Sequence, residues 1–454
     1  MKYTIVLYPA PSVSQLVSMV ELGKLILHHY HHLFSITVLI PTTPLHNPST
    51  TSYIHRISQT NPSIVFHHLP SLPPHKSNLN PVAAAFESIR RNIPNVHHAL
   101  QTISTSSTIP AFITSTSFSD YSDLKIPTYY FFSSGASALA AILYLPTTHD
   151  LFTKSFKDIP ATPLHIPGLP PILASHMPQP LLDRSNPAYN EFLQLATHLP
   201  KAQGIIVNTF ESLEPRALKA IADRLPVYGV GPMTANAQDR THASGNDLGN
   251  GAECLSWLDA QPKQSVVFLC FGSQGKFSTP QLKEIATGLE RSGHRFLWVV
   301  RSGEDSEFGS LLPEGFLDRT REKGLVVKSW APQAAVLSRE SVAGFVTHCG
   351  WNSILEAVCA GVPMVAWPLY AEQHLNRVIL VEEMKVAMAM EEGEDGLVSA
   401  VEIEKRLRAL MDLEEGTILR ERCMQTREAA LATWAEGGSS VVALNQLAEL
   451  WKGG

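Results

Sequence analysis

Short runs of β-branched and apolar residues alternate with longer amphipathic stretches along almost the whole chain, and this alternation restricts the fold more than any other feature. A short apolar run bounded by turn residues reads as a strand buried on both faces, and the amphipathic stretch after it as a crossover helix leading to a parallel neighbour. The pattern therefore predicts βαβ units and parallel sheets. Strands are expected at residues 3–8, 35–40, 64–69, 111–114, 128–132 and 204–210, with helices between them, for example at 15–28 and 211–224. Residues 234–251 break the rhythm: they are rich in Asn, Asp, Gly, Ser and Ala, lack periodicity, and read as an exposed linker. Beyond them the alternation restarts, with strands expected at 265–271, 295–300, 325–330, 344–348 and 364–367. A last helix at 439–451 carries Leu444, Leu447 and Trp451 on one face.

The expected organisation is an α/β domain at 1–233, a linker at 234–251, a second α/β domain at 252–436 and a C-terminal helix at 437–454. Two cores suit a chain of 454 residues, which is too long for one. In open parallel sheets ligands bind beyond the carboxyl ends of the strands, so the active site is expected at the interface of the two domains.

Composition narrows the function classes. With 44% hydrophobic and 17% charged residues, the chain reads as a compact globule, and a formal charge of -6 argues against nucleic acid as a partner. Five cysteines, an odd number without CxxC spacing, predict neither a disulfide framework nor a zinc site and suit a reduced, cytoplasmic setting. Pro9 and Pro11 interrupt the first apolar run before a signal-peptide core can form, and the apolar run at 136–145 falls short of the roughly 20 residues a membrane span needs. No membrane partner and no metal are expected. His28, His29, His31 and His32 read as a solvated helix end, since no second ligand cluster accompanies them.

The informative stretch is 330–373, WAPQAAVLSRESVAGFVTHCGWNSILEAVCAGVPMVAWPLYAEQ. Trp330 ends a strand and offers a flat indole on which a base can stack, with Ala331, Pro332 and Gln333 turning beside it. The strand at 344–348 runs through Cys349 and Gly350 into a helix. A strand, a glycine turn and a helix start present free backbone N–H groups and a positive dipole end, which suit a diphosphate. His348, Asn352 and Ser353 add donors, and Glu356 can offer its carboxylate to vicinal ribose hydroxyls. Glu372 and Gln373, past the next strand, can hydrogen-bond sugar hydroxyls.

With these residues in place, the sequence resembles the plant secondary-product family of UDP-dependent glycosyltransferases, whose signature box matches 330–373 almost residue for residue. The resemblance covers essentially the whole chain. It implies the GT-B architecture, two facing Rossmann-like domains with parallel sheets, and transfer with inversion at the anomeric carbon. On the matching positions it implies that Trp330 stacks on uracil and that Ala331 and Gln333 contact the base and ribose. Glu356 would hold the ribose, His348, Asn352, Ser353 and Ser273 the diphosphate, and Trp351, Glu372 and Gln373 the sugar. The terminal Gln373 is similar to glucose-using members. The UDP-sugar is then a co-substrate and no cofactor is implied. The segments YPAPSVSQLVSMVELGK and KIPTYYFFSSGA resemble members that glucosylate flavonoids and related phenols.

The chain departs from the family in its first half. The family's first strand leads to a Gly-rich turn ending in a histidine, the general base; here the turn reads Ser12, Val13, Ser14, Gln15. An amide cannot accept a proton near neutral pH. The best match to the aspartate that orients that histidine is Ser115, and the helix after it is shortened. Asp120 is the candidate substitute base, with Asp123 beside it in the same segment, and Phe118, Tyr121 and Met177 are candidate acceptor contacts. Losing a positioned base removes about 10² to 10⁴ in rate and need not abolish transfer when positioning and electrostatics remain. A phenol, already partly ionised, suffers least. The expectation is a monomer that moves a hexose, glucose, from a UDP-sugar to a small lipophilic phenolic acceptor, with Gln15 orienting the hydroxyl. The alternative is a diverged relative that has lost transfer and acts as a binding protein or a non-glycosylating catalyst.

Overall fold

The structure, a computed structural model, describes residues 3–41, 48–73, 79–116, 122–234, 245–301 and 308–453. Strands β1 (Tyr3–Tyr8), β2 (Phe34–Ile40), β3 (Ile64–His68), β4 (Phe112–Thr114) and β5 (Thr128–Phe132) follow the apolar runs. A two-residue pair, β6 (Pro163–Leu164) and β7 (Ile172–Leu173), precedes β8 (Gly204–Val207) and β9 (Val227–Gly229). Seven of these strands form one sheet in the order β3-β2-β1-β4-β5-β8-β9, every neighbouring pair parallel. The helix Val13–Tyr30 turns Leu16, Met19, Val20, Leu22 and Ile26 onto this sheet at helical spacing. Each such side chain, fully buried, contributes about 1.5–3 kcal/mol.

The second sheet holds β10 (Val266–Cys270), β11 (Arg295–Val300), β12 (Gly324–Lys328), β13 (Val342–Thr347), β14 (Met364–Ala366) and β15 (Ala387–Ala389) in the order β12-β11-β10-β13-β14-β15, again all parallel. Its core is built on Trp298, Phe296, Phe316, Ile285 and Leu407, all fully buried.

The chain divides into two compact units, residues 1–235 with 432–454, and residues 236–431. The C-terminal helix Ser439–Lys452 belongs to the first: Leu444, Leu447 and Trp451 enter the core around β1 and β2, and Trp451 meets Phe34 and Tyr129 edge-on at 5.9 Å. The stretch read as a linker is helical from residue 245, because the helix Gly245–Asp259 is anchored further on by buried Cys254 and Leu258, one turn apart. Once nucleated there, each added residue gains a hydrogen bond, which carries the helix back into poor helix formers. The run at 204–210 stops as a strand at Val207; Asn208 N still donates to Phe132 O at 3.1 Å, while its side chain binds the Met233 backbone, accepting from N at 2.8 Å and donating to O at 3.1 Å. The three-residue strands β9 and β15 sit at sheet edges, where short strands carry no readable period. Among the described residues no helix is long and apolar enough to cross a membrane, and no cluster of His, Cys, Asp and Glu could hold a metal.

Candidate active site

In the second unit β13 runs fully buried to Thr347, and the chain then turns through His348, Cys349 and Gly350 into the helix Trp351–Ala360. Cys349 adopts a left-handed φ of 63°. The turn is held from two sides, by Thr347 Oγ1 accepting from Cys349 N at 3.3 Å and by Asn376 Nδ2 donating to Cys349 O at 2.9 Å. Sequence reasoning missed Asn376, which sits in a mostly polar helix, Gln373–Val378, where one more polar residue gives no signal. No side chain caps the helix at Gly350. Its first N–H groups are therefore open to an anion.

His348 is 6% exposed and lies against two glycines: a Cβ added at Gly272 or at Gly350 would come within 2.5 Å of its Nε2. Gly272 also needs a left-handed φ of 72°, so both positions suit glycine alone. His348 Nδ1 is buried with no hydrogen-bond partner among the described residues. Burial first, and then the charge of Arg301, push its pKa down to about 4, so the ring is neutral at neutral pH. Arg301 follows the carboxyl end of β11, and its buried Nε has no hydrogen-bond partner among the described residues. It too escaped sequence reasoning, although the end of a parallel strand is where ligand groups gather.

Gln333, Ser353 and Glu356 meet. Ser353 and Glu356 lie three apart on one face of their helix, and Gln333 Nε2 donates to Ser353 Oγ at 2.8 Å and to Glu356 Oε2. Both helix residues are buried. Trp330 is half-buried just past β12, with Gly251 so close that a Cβ there would sit 3.0 Å from its Cζ3. Ala331 is buried beside it, and Ser273 is exposed in the turn after β10. Trp351 is buried at the first position of its helix, and Asn352 and Glu372 are half-buried. Gln373 differs from expectation. Its Oε1 accepts from Leu369 N and Tyr370 N, each at 2.9 Å, so the amide oxygen shapes the turn after β14 and is not free for a sugar hydroxyl.

In the first unit β1 ends at Tyr8, and Ser12 caps the helix Val13–Tyr30 by accepting from Gln15 N at 3.3 Å. Gln15 Oε1 accepts from Ser133 Oγ at 3.2 Å. Ser133 follows β5, just before the helix Ala136–Leu143. The first N–H groups of that helix, on Ala136 and Ser137, donate to the carboxylate of Glu214 at 2.7 and 2.8 Å. Glu214 is buried, and burial raises its pKa. No sequence pattern had singled it out.

Ser115 follows β4, its N donating to Tyr8 O at 3.1 Å, which sets it beside the end of β1. Ser115 Oγ and Thr116 Oγ1 are buried without hydrogen-bond partners among the described residues, and no hydrogen bond joins Ser115 to Gln15. Phe118, Asp120 and Tyr121 lie outside the described residues. Met177 is fully buried, so it packs the first unit's interior and has no surface to offer an acceptor.

Residues 232–424 match a family profile described as UDP-glucoronosyl and UDP-glucosyl transferase. The chain is similar to the anthocyanidin 5,3-O-glucosyltransferase of a Rosa hybrid cultivar, 49% identical, with 99% of this chain and 98% of that protein covered. It is equally similar to a phloretin 2'-O-glucosyltransferase of Malus domestica, 49% identical over 96% of this chain and 97% of that one. Among solved structures it is similar to Phytolacca americana UGT2 complexed with UDP-2fluoro-glucose and pterostilbene, 36% identical over 99% of this chain and 100% of that one, with a TM-score of 0.90.

Proposed function

Because the chain belongs to the family of UDP-dependent glycosyltransferases and has their GT-B fold, we propose that it moves glucose from UDP-glucose to a small phenol such as a flavonoid, with inversion at the anomeric carbon. Both curated relatives named above are glucosyltransferases, one of an anthocyanidin and one of phloretin, which favours transfer over the alternative of a protein that only binds. The single observation that carries the reading is the meeting of Gln333, Ser353 and buried Glu356 on an uncapped helix start. A carboxylate held in place by an amide is built to accept from paired hydroxyls, and the open N–H groups beside it to receive phosphate.

In this reading Trp330 stacks on uracil, and Ala331 and Gln333 contact the base and ribose. Glu356 accepts from the ribose hydroxyls. Ser273, His348, Asn352 and Ser353 hold the diphosphate, and Arg301 adds positive charge toward the departing UDP. Trp351, Glu372 and the Gln373 backbone border the sugar. Gln15 and Ser115 stand at the acceptor end of the reaction, where a base of the family's kind is replaced by an amide, and Gln15 orients the hydroxyl. The UDP-sugar is a co-substrate and no cofactor takes part. All five cysteines are free thiols, which supports a reduced, cytoplasmic setting, and the working unit is a monomer.

Calorimetry with UDP and UDP-glucose, followed by product analysis on a panel of flavonoids, tests the reading. It expects donor affinity and a glucosylated phenol. Well-folded protein without affinity for UDP or any UDP-hexose would overturn it.

A further inference from the structure

One end of the Gln15 amide is already engaged. Ser133 donates to Gln15 Oε1 at 3.2 Å, whereas Gln15 Nε2 has no hydrogen-bond partner among the described residues. Both partners are held from behind. Gln15 N donates to Ser12 Oγ at 3.3 Å, and Ser12 N to Ala10 O at 2.7 Å. Ser133 precedes the helix whose first two N–H groups are bound to buried Glu214. The free end of the side chain is therefore an NH₂ group, two donors and no acceptor. The charged groups nearest along the helix, Glu21 and Lys24, pair with each other at 2.9 Å, and the neighbouring strand ends supply the neutral hydroxyls of Ser115 and Ser133.

We infer that Gln15 binds the acceptor as its phenolate, with Ser133 as the positioning residue that holds the carbonyl end of the amide. The inference rests on the phenol-transfer reading above. A donor pair takes no proton from a neutral hydroxyl but stabilises an anionic oxygen, and hydrogen bonds to charged groups are the stronger kind. The phenol gives its proton to water before transfer. The phenolate oxygen then forms the bond to the anomeric carbon with its own electron pair, while the bond from that carbon to the UDP oxygen breaks and its pair leaves on UDP. No base is needed, and the neutral Ser115 hydroxyl puts no repelling charge beside the anion. Aliphatic alcohols, which do not ionise near neutral pH, are excluded as acceptors by this arrangement.

The test is to titrate a chromophoric nitrophenol bound to the full chain saturated with UDP, following phenolate absorbance against pH. The bound phenol is expected to ionise about 1 to 2 pH units below the free one, the scale of a hydrogen bond to a charged group. Gln15→Glu, which removes the donors and adds a repelling charge, abolishes or reverses the shift, and Gln15→Met, which keeps length without the amide, abolishes it. Ser133→Ala shrinks the shift and Ser133→Thr restores it. A bound phenol with an unshifted or raised pKa, or a Gln15→Glu protein that matches wild type, shows the carbonyl facing the acceptor and overturns the inference. Under turnover, the pH at which kcat/KM levels off is expected to move with the acidity of the phenol. A level fixed at one pH for every phenol points to a protein base and overturns the inference as well. A shifted pKa without any glucosylated product supports phenolate binding and sinks the transferase reading instead, so the two failures are distinct.

Discussion

Both units place a strand, a turn and a helix start at the carboxyl end of a parallel sheet, yet they finish the helix in opposite ways. In the first unit Ser12 closes the start of Val13–Tyr30 with its own hydroxyl, and the side chain that follows, Gln15, is tied to Ser133. In the second unit Gly350 leaves the start of Trp351–Ala360 uncapped, and the turn before it is braced from outside by Thr347 and Asn376. A side-chain cap engages one of the free N–H groups of a helix start, here that of Gln15, whereas an uncapped start keeps it for a ligand. In the proposed reading, anion binding in the second unit draws on backbone N–H groups as well as on side chains, and the backbone share survives substitution of side chains. In the same reading acceptor chemistry in the first unit hangs on side chains alone, Gln15 and Ser115 standing at the positions that the resemblance assigns to a base and its orienting partner.

The largest effect that would sharpen this contrast is restoration of a base. Gln15→His combined with Ser115→Asp is expected to raise kcat/KM for weakly acidic hydroxyl compounds by about 10² and at most about 10⁴, the usual worth of a positioned general base. Acidic phenols gain far less, because they arrive ionised. Equal gains across both acceptor classes, or none with either, would break the claim that the units differ in this way.

Next in size is the pH dependence of stability, where the units differ in sign. His348, pushed down from 6.5 to about 4 by burial and Arg301, binds its proton in the unfolded chain before it does so in the folded one. Its contribution is complete above pH 6.5 and is lost as pH falls toward 4, by about 3 kcal/mol in all. Glu214 is shifted upward by burial, so its contribution is complete below its unfolded value of 4.5 and is lost as pH rises through its folded pKa. Urea unfolding of His348→Gln and Glu214→Gln against wild type checks both: the first is expected to flatten the acid loss and the second the opposite trend. Two variants that titrate alike would remove the contrast.

Much of this fold was legible because buried parallel strands announce themselves as apolar runs. β1, β5 and β11 coincide with the runs at 3–8, 128–132 and 295–300. The edge strands β9 and β15, three residues each, are too short to show a period. The part of the proposed donor site that the structure brings together, Gln333 with Ser353 and Glu356, falls in one contiguous stretch of sequence. What the sequence hid was partnership over distance: Glu214 lies 78 residues from the N–H of Ala136 that it binds, and Ser133 lies 118 from Gln15. The second task of Gln373 was hidden for the same reason, since a side chain's type does not reveal that the backbone four residues earlier claims its oxygen.

A smaller change probes the second unit's side chains. Glu356→Ala leaves the Gln333 amide without one of its acceptors and a ribose without its own, and is expected to weaken UDP binding about 10- to 100-fold. The same calorimetry on Gln15→Ala is expected to show unchanged UDP affinity. A matching loss in both would mean that donor binding is not confined to the residues of the second unit.

The smallest effect bears most directly on the two helix starts. Ser12 and Ser278 are the same device in different units: each is an N-cap accepting from the N–H three residues on, Gln15 in one case and Gln281 in the other. Ser12→Ala and Ser278→Ala are each expected to cost about 1 kcal/mol, read as a lowered denaturant midpoint. Only the first should touch chemistry. Releasing Gln15 N loosens the residue whose amide is proposed to meet the acceptor, so Ser12→Ala is expected to raise KM for the phenol while leaving KM for UDP-glucose unchanged. Ser278→Ala should leave both alone, because Gln281 is spent inside the second unit, its Oε1 accepting from Val398 N at 2.9 Å and its Nε2 donating to Val398 O at 2.8 Å. If Ser12→Ala lowered stability and left the phenol's KM untouched, the cap would serve the helix alone, and the link from turn to acceptor would have to run through Ser133.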